Sequence, residues 1–214
     1  QWVVVYFYPK DSTPGCTSSG GVVGLTARNN TFADTSGSTI SVSGANGGQN
    51  GILEIFGNGV TAGSLQSSYG NPYALLINPF DMTLSSGATS AGSNPNLNIN
   101  TLANYSQIDL QALDNITLNS AWSLANASSM AGLSLTAGNN LALNGDITAG
   151  NNWNVSLSAG TEQSAGGINL NGSSTIQTQN GNINLFAANN VTVNGGAVRT
   201  IGGGNINVVT LNGN

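Results

Sequence analysis

The stretch "GLSLTAGNNLALNGDI", residues 132–147, decides the fold of this chain. It contains two short segments in which aliphatic residues alternate with small or polar ones, and a Gly-Asn-Asn corner joins them. Alternation with a period of two is typical of a β-strand that buries one of its faces. The same pattern returns with changed letters as "NGNINLFAANNVTVNG", residues 180–195. A repeat protein built from short strands is therefore predicted.

A regular spacing connects these segments along the carboxyl-terminal half of the chain. The first strand of each group is marked by an aliphatic residue, at Ile108, Leu133, Val155, Ile183 and Ile206. These residues are 25, 22, 28 and 23 positions apart. A second series runs in phase with the first, at Ile116, Leu141, Ile168 and Val191. A third, weaker apolar position follows each pair, at Trp122 or Leu124, Ile147, Ile176, and Val198 or Ile201.

Three short strands in each repeat of about 25 residues predict an all-β chain that folds as a parallel β-helix. Each coil of such a solenoid stacks its strands on the equivalent strands of the next coil, roughly 4.8 Å away. A single coil cannot bury its aliphatic face alone, so the stacked coils share one continuous core. A β-sandwich is the competing interpretation, but its Greek-key connections would not give a phase-locked repeat of this length.

The segments between the predicted strands have the composition of sharp corners. They read "AGNN" at residues 137–140 and 149–152, "QNGN" at 179–182 and "AANN" at 187–190. Asn and Gly accept the left-handed backbone that tight corners need, and stacked Asn side chains form ladders. We therefore expect left-handed residues and asparagine ladders at these corners.

The same phasing extends toward the amino terminus, where the pattern is weaker. Further strand candidates are Ile40-x-Val42, Ile52 to Phe56, Leu75 to Ile77, Met82-x-Leu84 and Leu97-x-Ile99. Counted from residue 22, they predict roughly eight coils. Residues 35–51 and 85–96 are rich in Gly, Ser and Asn and are interpreted as corners or extended loops. For residues 85–96, a low-complexity linker is the alternative.

Composition excludes several classes of function. Charged residues make up 5% of the chain and the net charge is −5, so there is no basic surface for nucleic acid. No apolar run approaches the length of a membrane span. With one cysteine and no histidine, the sequence predicts no disulfide, no metal site and no cofactor. Because the chain begins at Gln1, we interpret it as a fragment or an excised piece.

The residues that face outward from the predicted strands are short, polar and nearly uncharged. On the first face they are Asp109, Ser134, Ser156, Asn184 and Asn207, and on the second they are Thr117, Ala142, Asn169 and Thr192. The acids that a polysaccharide-cleaving β-helix would need are scattered, at Asp11, Asp34, Glu54, Asp81, Asp109, Asp114, Asp146 and Glu162. Such faces suit weak, repeated contacts with glycans or with other rods rather than catalysis.

From about residue 21 to residue 214, the chain resembles the filamentous-haemagglutinin-like proteins of the bacterial two-partner secretion pathway. The resemblance is carried by "STISVSGANGGQNGILEIFG", "YSQIDLQALDNITLN", "GLSLTAGNNLALNGDI", "NGNINLFAANNVTVNG" and "GGGNINVV". It implies a right-handed β-helical exoprotein, exported through an outer-membrane partner transporter and located at the cell surface or secreted. It also implies an adhesive or structural role, with host or community surface glycans or proteins as partners. Separately, an exposed terminal coil predicts end-to-end self-association, because open strand edges recruit other strands.

The opening segment "WVVVYFYPKDSTPGCT", residues 2–17, differs from the rest of the chain. It resembles the peroxidatic-cysteine segment of the peroxiredoxins, most closely the bacterioferritin-comigratory-protein branch, through the motif Pro9-x-x-x-Thr13-x-x-Cys16. The resemblance implies that the Cys16 thiolate attacks peroxide, that the Thr13 hydroxyl orients the peroxide, and that Pro9 shields the thiolate.

The residues after Cys16 depart from that family. They read "TSSGGVVGL", in which glycines and β-branched residues disfavour the helix that carries a peroxidatic cysteine. Gly21 stands where that branch has its resolving cysteine. We therefore predict that residues 1–20 are a strand-and-turn remnant that caps or accompanies a β-helix domain formed by residues 21–214. The predicted function is a non-catalytic structural or adhesive segment, with no catalytic residue. The alternative is a thioredoxin-dependent thiol peroxidase that uses Cys16, Thr13 and Pro9.

Overall fold

The computed structural model describes residues 4–8, 22–33, 51–61, 74–87, 94–103, 105–162 and 165–213. These residues form nineteen strands and one 3-10 helix, Ile99–Leu102. The strands are β1 (Val4–Tyr8), β2 (Val22–Ala33), β3 (Ile52–Thr61), β4 (Ala74–Asn78), β5 (Met82–Ser85), β6 (Asn96–Asn98), β7 (Gln107–Ala112), β8 (Ile116–Leu118), β9 (Trp122–Leu124), β10 (Ala131–Ala137), β11 (Leu141–Leu143), β12 (Ile147–Asn151), β13 (Trp153–Ala159), β14 (Ile168–Leu170), β15 (Thr175–Gln179), β16 (Ile183–Ala187), β17 (Val191–Val193), β18 (Ala197–Ile201) and β19 (Ile206–Thr210).

The strands are arranged in three sheets that run along the molecule. Sheet A has the order β1-β2-β3-β4-β7-β10-β13-β16-β19, sheet B the order β17-β14-β11-β8-β5-β6, and sheet C the order β18-β15-β12-β9. From β7 onward, consecutive strands of the chain visit sheets A, B and C in turn, and each pairs in parallel with its equivalent in the next coil. The chain is therefore a parallel β-helix, and the fold predicted from the repeat is confirmed.

The register places the predicted inward positions on top of one another. On sheet A the row is Ile108, Leu133, Val155, Ile183 and Ile206. On sheet B it is Ile116, Leu141, Ile168 and Val191. On sheet C it is Trp122, Ile147, Ile176 and Val198. The members in the inner coils are buried and form one continuous hydrophobic core. Because each coil contributes only a few aliphatic side chains, this core exists only when the coils are stacked.

Asparagine ladders connect the corners of successive coils, as predicted. Asn144 donates its side-chain amide to Oδ1 of Asn119 at 2.8 Å, and Asn171 does the same to Asn144 at 3.0 Å. At another corner, the Oδ1 of Asn115 accepts from the backbone N–H of Asn140 at 3.2 Å. These contacts satisfy polar groups that a corner would otherwise leave without a partner.

The predicted left-handed corner residues are found at two of the four positions. Asn152 has a φ of 65° and Asn180 a φ of 62°, so "AGNN" at 149–152 and "QNGN" at 179–182 turn as expected. The segments at 137–140 and 187–190 contain no residue with positive φ, so that part of the prediction was wrong. At the first of these corners the glycine has a steric role, because a Cβ on Gly138 would fall on the backbone oxygen of Leu113 in the coil beside it.

The amino-terminal part of the solenoid is less regular than predicted. Eight parallel strands stack in sheet A from β2 to β19, but all three sheets are present only from β7. The described residues thus form four complete three-sided coils and the first strand of a fifth, fewer than the eight expected. Of the predicted amino-terminal strands, Ile40-x-Val42 lies outside the described residues.

The Leu97-x-Ile99 candidate is only partly a strand. Strand β6 covers Asn96–Asn98, and Ile99 begins the 3-10 helix. This strand pairs with β5 on the side away from β8, so it occupies the edge of sheet B. Strands β5 and β6 are therefore neighbours in one sheet, but residues 88–93 between them lie outside the described residues, so the choice between corner, extended loop and linker for residues 85–96 stays a prediction.

Candidate functional site

The opening segment contributes a strand to the solenoid. Strand β1 pairs antiparallel with β2, with Val4 opposite Thr26 and Tyr8 opposite Val22. It thereby forms the amino-terminal edge of sheet A, whose other strand pairs are parallel. Pro9, Thr13 and Cys16 lie outside the described residues, so the peroxidatic interpretation stays a prediction. The proposed boundary between residues 1–20 and 21–214 likewise stays a prediction.

The acidic residues do not gather into a metal centre in the part of the chain that the structure describes. No group of three or more His, Cys, Asp or Glu side chains comes together there. Asp109 lies within β7 on the outer face, whereas Asp114 lies in the corner between β7 and β8. These two acids, which are close in sequence, therefore lie on different elements, one on a strand and one in a corner.

Asp109 has a partly buried carboxyl group on the outer face of β7. Partial burial raises the pKa of its carboxyl group above the ordinary aspartate range, while hydrogen bonds from Gln111 and Ser134 oppose that rise. The Gln111 amide donates to both carboxylate oxygens, at 3.4 and 3.3 Å. A single carboxyl group held by neutral partners can accept a hydrogen bond, but acid–base catalysis of glycoside cleavage needs a second carboxyl group on the opposite side of the bond.

The outer rows of sheets A and B have the composition that the sequence predicted. On sheet A, Asp109, Ser134, Ser156, Asn184 and Asn207 stand in register. On sheet B the row is Thr117, Ala142, Asn169 and Thr192. In most coils, each row presents one hydroxyl or amide group, and successive groups are separated by the roughly 4.8 Å spacing of neighbouring strands.

Sheet C carries a third outer row that the sequence analysis missed. It consists of Ser123, Thr148, Gln177 and Arg199, again in register. The Nε of Arg199 donates to Oε1 of Gln177 at 2.7 Å, which ties the last two coils together on this face. The sequence does contain a signal for this row. Its members follow the weaker, third apolar position of each repeat, as Thr148 does between the buried Ile147 and Ala149.

A groove of about 500 Å³ lies against this outer face of sheet C. Its polar lining includes the side chains of Ser123, Thr148 and Gln177, and Ile201 stands at one end, 50% exposed. Gly150 has no side chain at this point of the groove, and a Cβ there would collide with Asn126. A concave surface lined by hydroxyl and amide groups, without an ionised group in its lining, offers donors and acceptors to a neutral, hydroxyl-rich ligand.

A smaller depression of about 370 Å³ lies at the corner that leads into sheet B. Its lining includes Asp81, Asn115 and Asn140. These side chains are engaged with the coil stack, since Oδ1 of Asp81 accepts from the side chain of Asn115 at 3.1 Å and from its backbone N–H at 3.0 Å. The depression is therefore a part of the asparagine ladder, and the sheet C groove is the better candidate for a binding surface.

The fold and the outer surface define the class of this protein as a parallel β-solenoid with neutral, polar sides. No protein-family model matches the chain, and no solved structure matches it. A stretch of 20 residues is 79% identical to the peroxiredoxin Bcp of Xanthomonas campestris pv. campestris. This match covers 9% of the chain and 12% of that protein, so it is a likeness to one short segment of a peroxiredoxin. Among the described residues, no helix is long and apolar enough to cross a membrane.

Proposed function

We propose that this chain is a non-catalytic, adhesive and structural segment of a bacterial surface exoprotein similar to filamentous haemagglutinin. The observation that carries the proposal is a coil-by-coil solenoid whose outer rows repeat neutral hydroxyl and amide groups. A rigid rod with identical spacing on each face can bind a repeating ligand through many weak contacts at once. Linked weak contacts give an overall affinity far above that of any single contact.

The proposed ligand is a neutral glycan, and the proposed contact surface is the sheet C groove. Hydroxyl and amide side chains pair with sugar hydroxyl groups, and a partly exposed aliphatic side chain such as Ile201 packs against the apolar face of a sugar ring. The low charge of the chain argues against sulfated or phosphorylated partners, which would need basic residues.

Blocking the groove tests this proposal. Thr148 is exposed at the centre of the sheet C row, so we expect Thr148→Tyr to fill the groove and to weaken binding to a panel of immobilised neutral polysaccharides. Asn184→Tyr is the matched control, because Asn184 is likewise exposed within a strand but lies on sheet A, outside the groove and the smaller depression. Tyr is well tolerated in strands, so both variants should fold. Absence of binding to every polysaccharide, or equal binding by both variants and the parent chain, would contradict the proposed contact surface.

Localisation at the cell surface, with export through an outer-membrane partner transporter, belongs to the same proposal. It is supported by the resemblance of residues 21–214 to the secreted family. Antibodies against the purified chain should label intact cells of the source bacterium, and protease added outside should remove the label. Antigen found only after the cells are lysed would contradict this localisation.

The thiol peroxidase alternative draws on the 20-residue likeness to a peroxiredoxin. A likeness to 12% of that enzyme's length cannot supply the rest of its fold. The peroxidase alternative therefore depends on Cys16 alone and stays a prediction that the reaction of Cys16 with peroxide tests.

A further inference from the structure

One column of corner asparagines is built mostly from a dipeptide that can modify itself. The column consists of Asn119, Asn144, Asn171 and Asn194, at the corner between sheets B and C of successive coils. In the last three of these, a glycine follows the asparagine directly, whereas Ser120 follows Asn119. Glycine has no side chain to hinder its own backbone nitrogen, so an asparagine before it reacts most readily with the backbone.

The reaction is an attack of the chain on itself. The backbone nitrogen of the glycine attacks the side-chain carbon Cγ of the asparagine, a C–N bond forms, and the side-chain amide leaves as ammonia, taking up the proton of the glycine N–H. Water then opens the resulting succinimide ring. Cleavage of the ring nitrogen from Cγ gives aspartate, and its cleavage from the main-chain carbonyl carbon gives isoaspartate. No atom is oxidised or reduced, and the residue gains a negative charge at neutral pH.

In the folded chain the column fixes each side-chain amide. Asn144 donates to Oδ1 of Asn119 at 2.8 Å and accepts from Asn171 at 3.0 Å. Asn171 in turn accepts from Asn194 at 3.5 Å, the longest of the three contacts. A side chain held from both sides must break a hydrogen bond before its Cγ turns toward the backbone nitrogen. Asn144 is therefore held more firmly than Asn171.

The space around the two glycines differs as well. Gly145 lies against the preceding coil, since a Cβ on Gly145 would collide with the backbone of Ser120. Gly172 is exposed, and a Cβ there would meet no described atom within 4 Å. Neither glycine N–H donates a hydrogen bond within the described residues. Because the reaction moves the glycine nitrogen toward Cγ, it needs room that Gly172 has and Gly145 lacks.

The following coil is present at the Gly172 corner, so the open space belongs to the turn itself. The N–H of Ser173 donates to the backbone oxygen of Asn194 in that coil at 3.1 Å. Gly172 and Ser173 have φ values of 57° and 69°. The N–H of Ser174 closes the turn on the backbone oxygen of Asn171 at 3.0 Å. Two successive left-handed residues between hydrogen-bonded ends are typical of a tight turn.

We propose that Asn171 is a self-modifying residue, which converts to isoaspartate and aspartate in the folded chain, while Asn144 is protected as long as the coils stay stacked. A carboxylate at position 171 has no hydrogen to donate to Oδ1 of Asn144, and an isoaspartate also adds one atom to the backbone of the tight turn. Conversion therefore loosens this corner and adds charge to a nearly neutral surface. The site is independent of the proposed glycan contact, because neither asparagine lines the sheet C groove.

Peptide mapping by mass spectrometry of the folded chain, incubated at mildly alkaline pH, tests the proposal. Each conversion raises the peptide mass by the difference between a carboxyl group and an amide, and fragmentation distinguishes isoaspartate from aspartate. We expect Asn171 to convert roughly tenfold faster than Asn144, the effect of about one more hydrogen bond that must first be broken. In denaturant the two rates should become equal, because both residues then precede glycine in an open chain.

Two variants separate the effect of the column from that of the dipeptide. Asn119→Ala removes the acceptor of the Asn144 amide, so it should speed conversion at Asn144 and leave Asn171 nearly unchanged. Asn171→Gln is the blank, because its longer side chain would have to close a less favourable six-membered ring. It should remove the earliest acidic species from an ion-exchange profile of the incubated chain. Circular dichroism and the unfolding midpoint show whether each variant keeps its fold.

The outcomes are distinct. Equal rates at Asn144 and Asn171 in the folded chain, or conversion of Asn171 only after unfolding, would overturn the proposal. A rate at Asn144 that Asn119→Ala leaves unchanged would contradict protection by the column.

Discussion

Leu141 shows what a single inward residue contributes to the stack. It is fully buried in β11, between Ile116 of the preceding coil and Ile168 of the following one, whereas its neighbour Ala142 faces outward. Leu141→Ala should lower the free energy of unfolding by about 2–5 kcal/mol through lost contacts and a cavity. Leu141→Asp should be worse, because it buries an unpaired charge. Chemical denaturation measures both, and Ala142→Asp is the matched control that should be nearly neutral. An equal effect at the two positions would contradict the inward and outward assignment.

Asp109 gives the solenoid a predictable dependence on pH. Because its folded pKa is raised by burial, the stability it contributes is present at pH below the ordinary aspartate range and is lost as the pH rises through the folded pKa. Asp109→Asn removes the ionisation, so it should raise the unfolding midpoint at neutral pH and leave it nearly unchanged at pH values where aspartate is protonated. Thermal unfolding of both proteins across that range measures this. A variant that is less stable at neutral pH would show that the ionised carboxylate is favoured by its hydrogen bonds instead.

Cys16 is expected to be an ordinary thiol. A peroxidatic thiolate needs a depressed pKa, which comes from helix-end amides and a fixed cation. The sequence instead continues with glycines, and the nearest basic residues in sequence are Lys10 and Arg28. The second-order rate of peroxide consumption at neutral pH should therefore match that of free cysteine. The Cys16→Ser protein is the blank and should fold normally. A rate several orders of magnitude faster, abolished in the serine variant, would establish a peroxidase.

At the scale of single residues, the sequence predicts the core better than the binding surface. The rows of Ile108 and Ile116 follow from alternation and a fixed repeat, since both are direct consequences of a buried face. The sheet C row could have been found in the same way, but its strands open with residues as different as Trp122 and Ile147. The shape of the groove depends on the side chains along its sides and on the packing of neighbouring coils. A local sequence pattern encodes neither of these.

The corner elements depend on glycine where two coils approach closely. A Cβ on Gly181 would fall on the backbone oxygen of Trp153 in the adjacent coil, so Gly181→Ala must push the coils apart. We expect a clear drop in the unfolding midpoint, in the range of a strongly destabilising single substitution of about 2–3 kcal/mol. Gly24→Ala is the control, because the nearest described atom that a Cβ there would meet is an oxygen of the Glu54 carboxylate, at an ordinary contact distance of 3.8 Å. If Gly181→Ala and Gly24→Ala both have the same unfolding midpoint as the parent chain, the close approach of the two coils at this corner does not exist.

Among the strands, β6 shows the limit of prediction from local pattern. The predicted segment Leu97-x-Ile99 has the same apolar–polar–apolar form as the regular strands, yet β6 covers Asn96–Asn98 and pairs with β5 on the side opposite to β8. A short strand has little to fix its partner, because the alternation fits either edge of a sheet equally well. The 3-10 helix that follows buries Ile99 and Leu102 and so holds β6 against the core. The position of β6 could therefore not be predicted from sequence.

Across the whole molecule, the stacked strands stay in register over many coils. The outer row of sheet A gives a direct measure, because Glu54, Leu76, Asp109, Ser134, Ser156, Asn184 and Asn207 are successive register partners. Any other all-β arrangement, including a sandwich, would distribute these residues over two faces or several directions. The spacing of this one row therefore distinguishes the solenoid from its competitors.

Pulsed electron paramagnetic resonance between pairs of spin labels tests this most directly. In a Cys16→Ser background diluted with unlabelled chain, one label is placed at Asn207 and the other at Asp109 or Glu54. The solenoid separates these pairs by four and six strand steps, so the distances should be about 19 and about 29 Å. An increase of about 10 Å between the two pairs, with a single narrow peak for each, is the predicted result. Similar distances for both pairs, or a shorter distance for the Glu54 pair, would contradict the parallel β-helix.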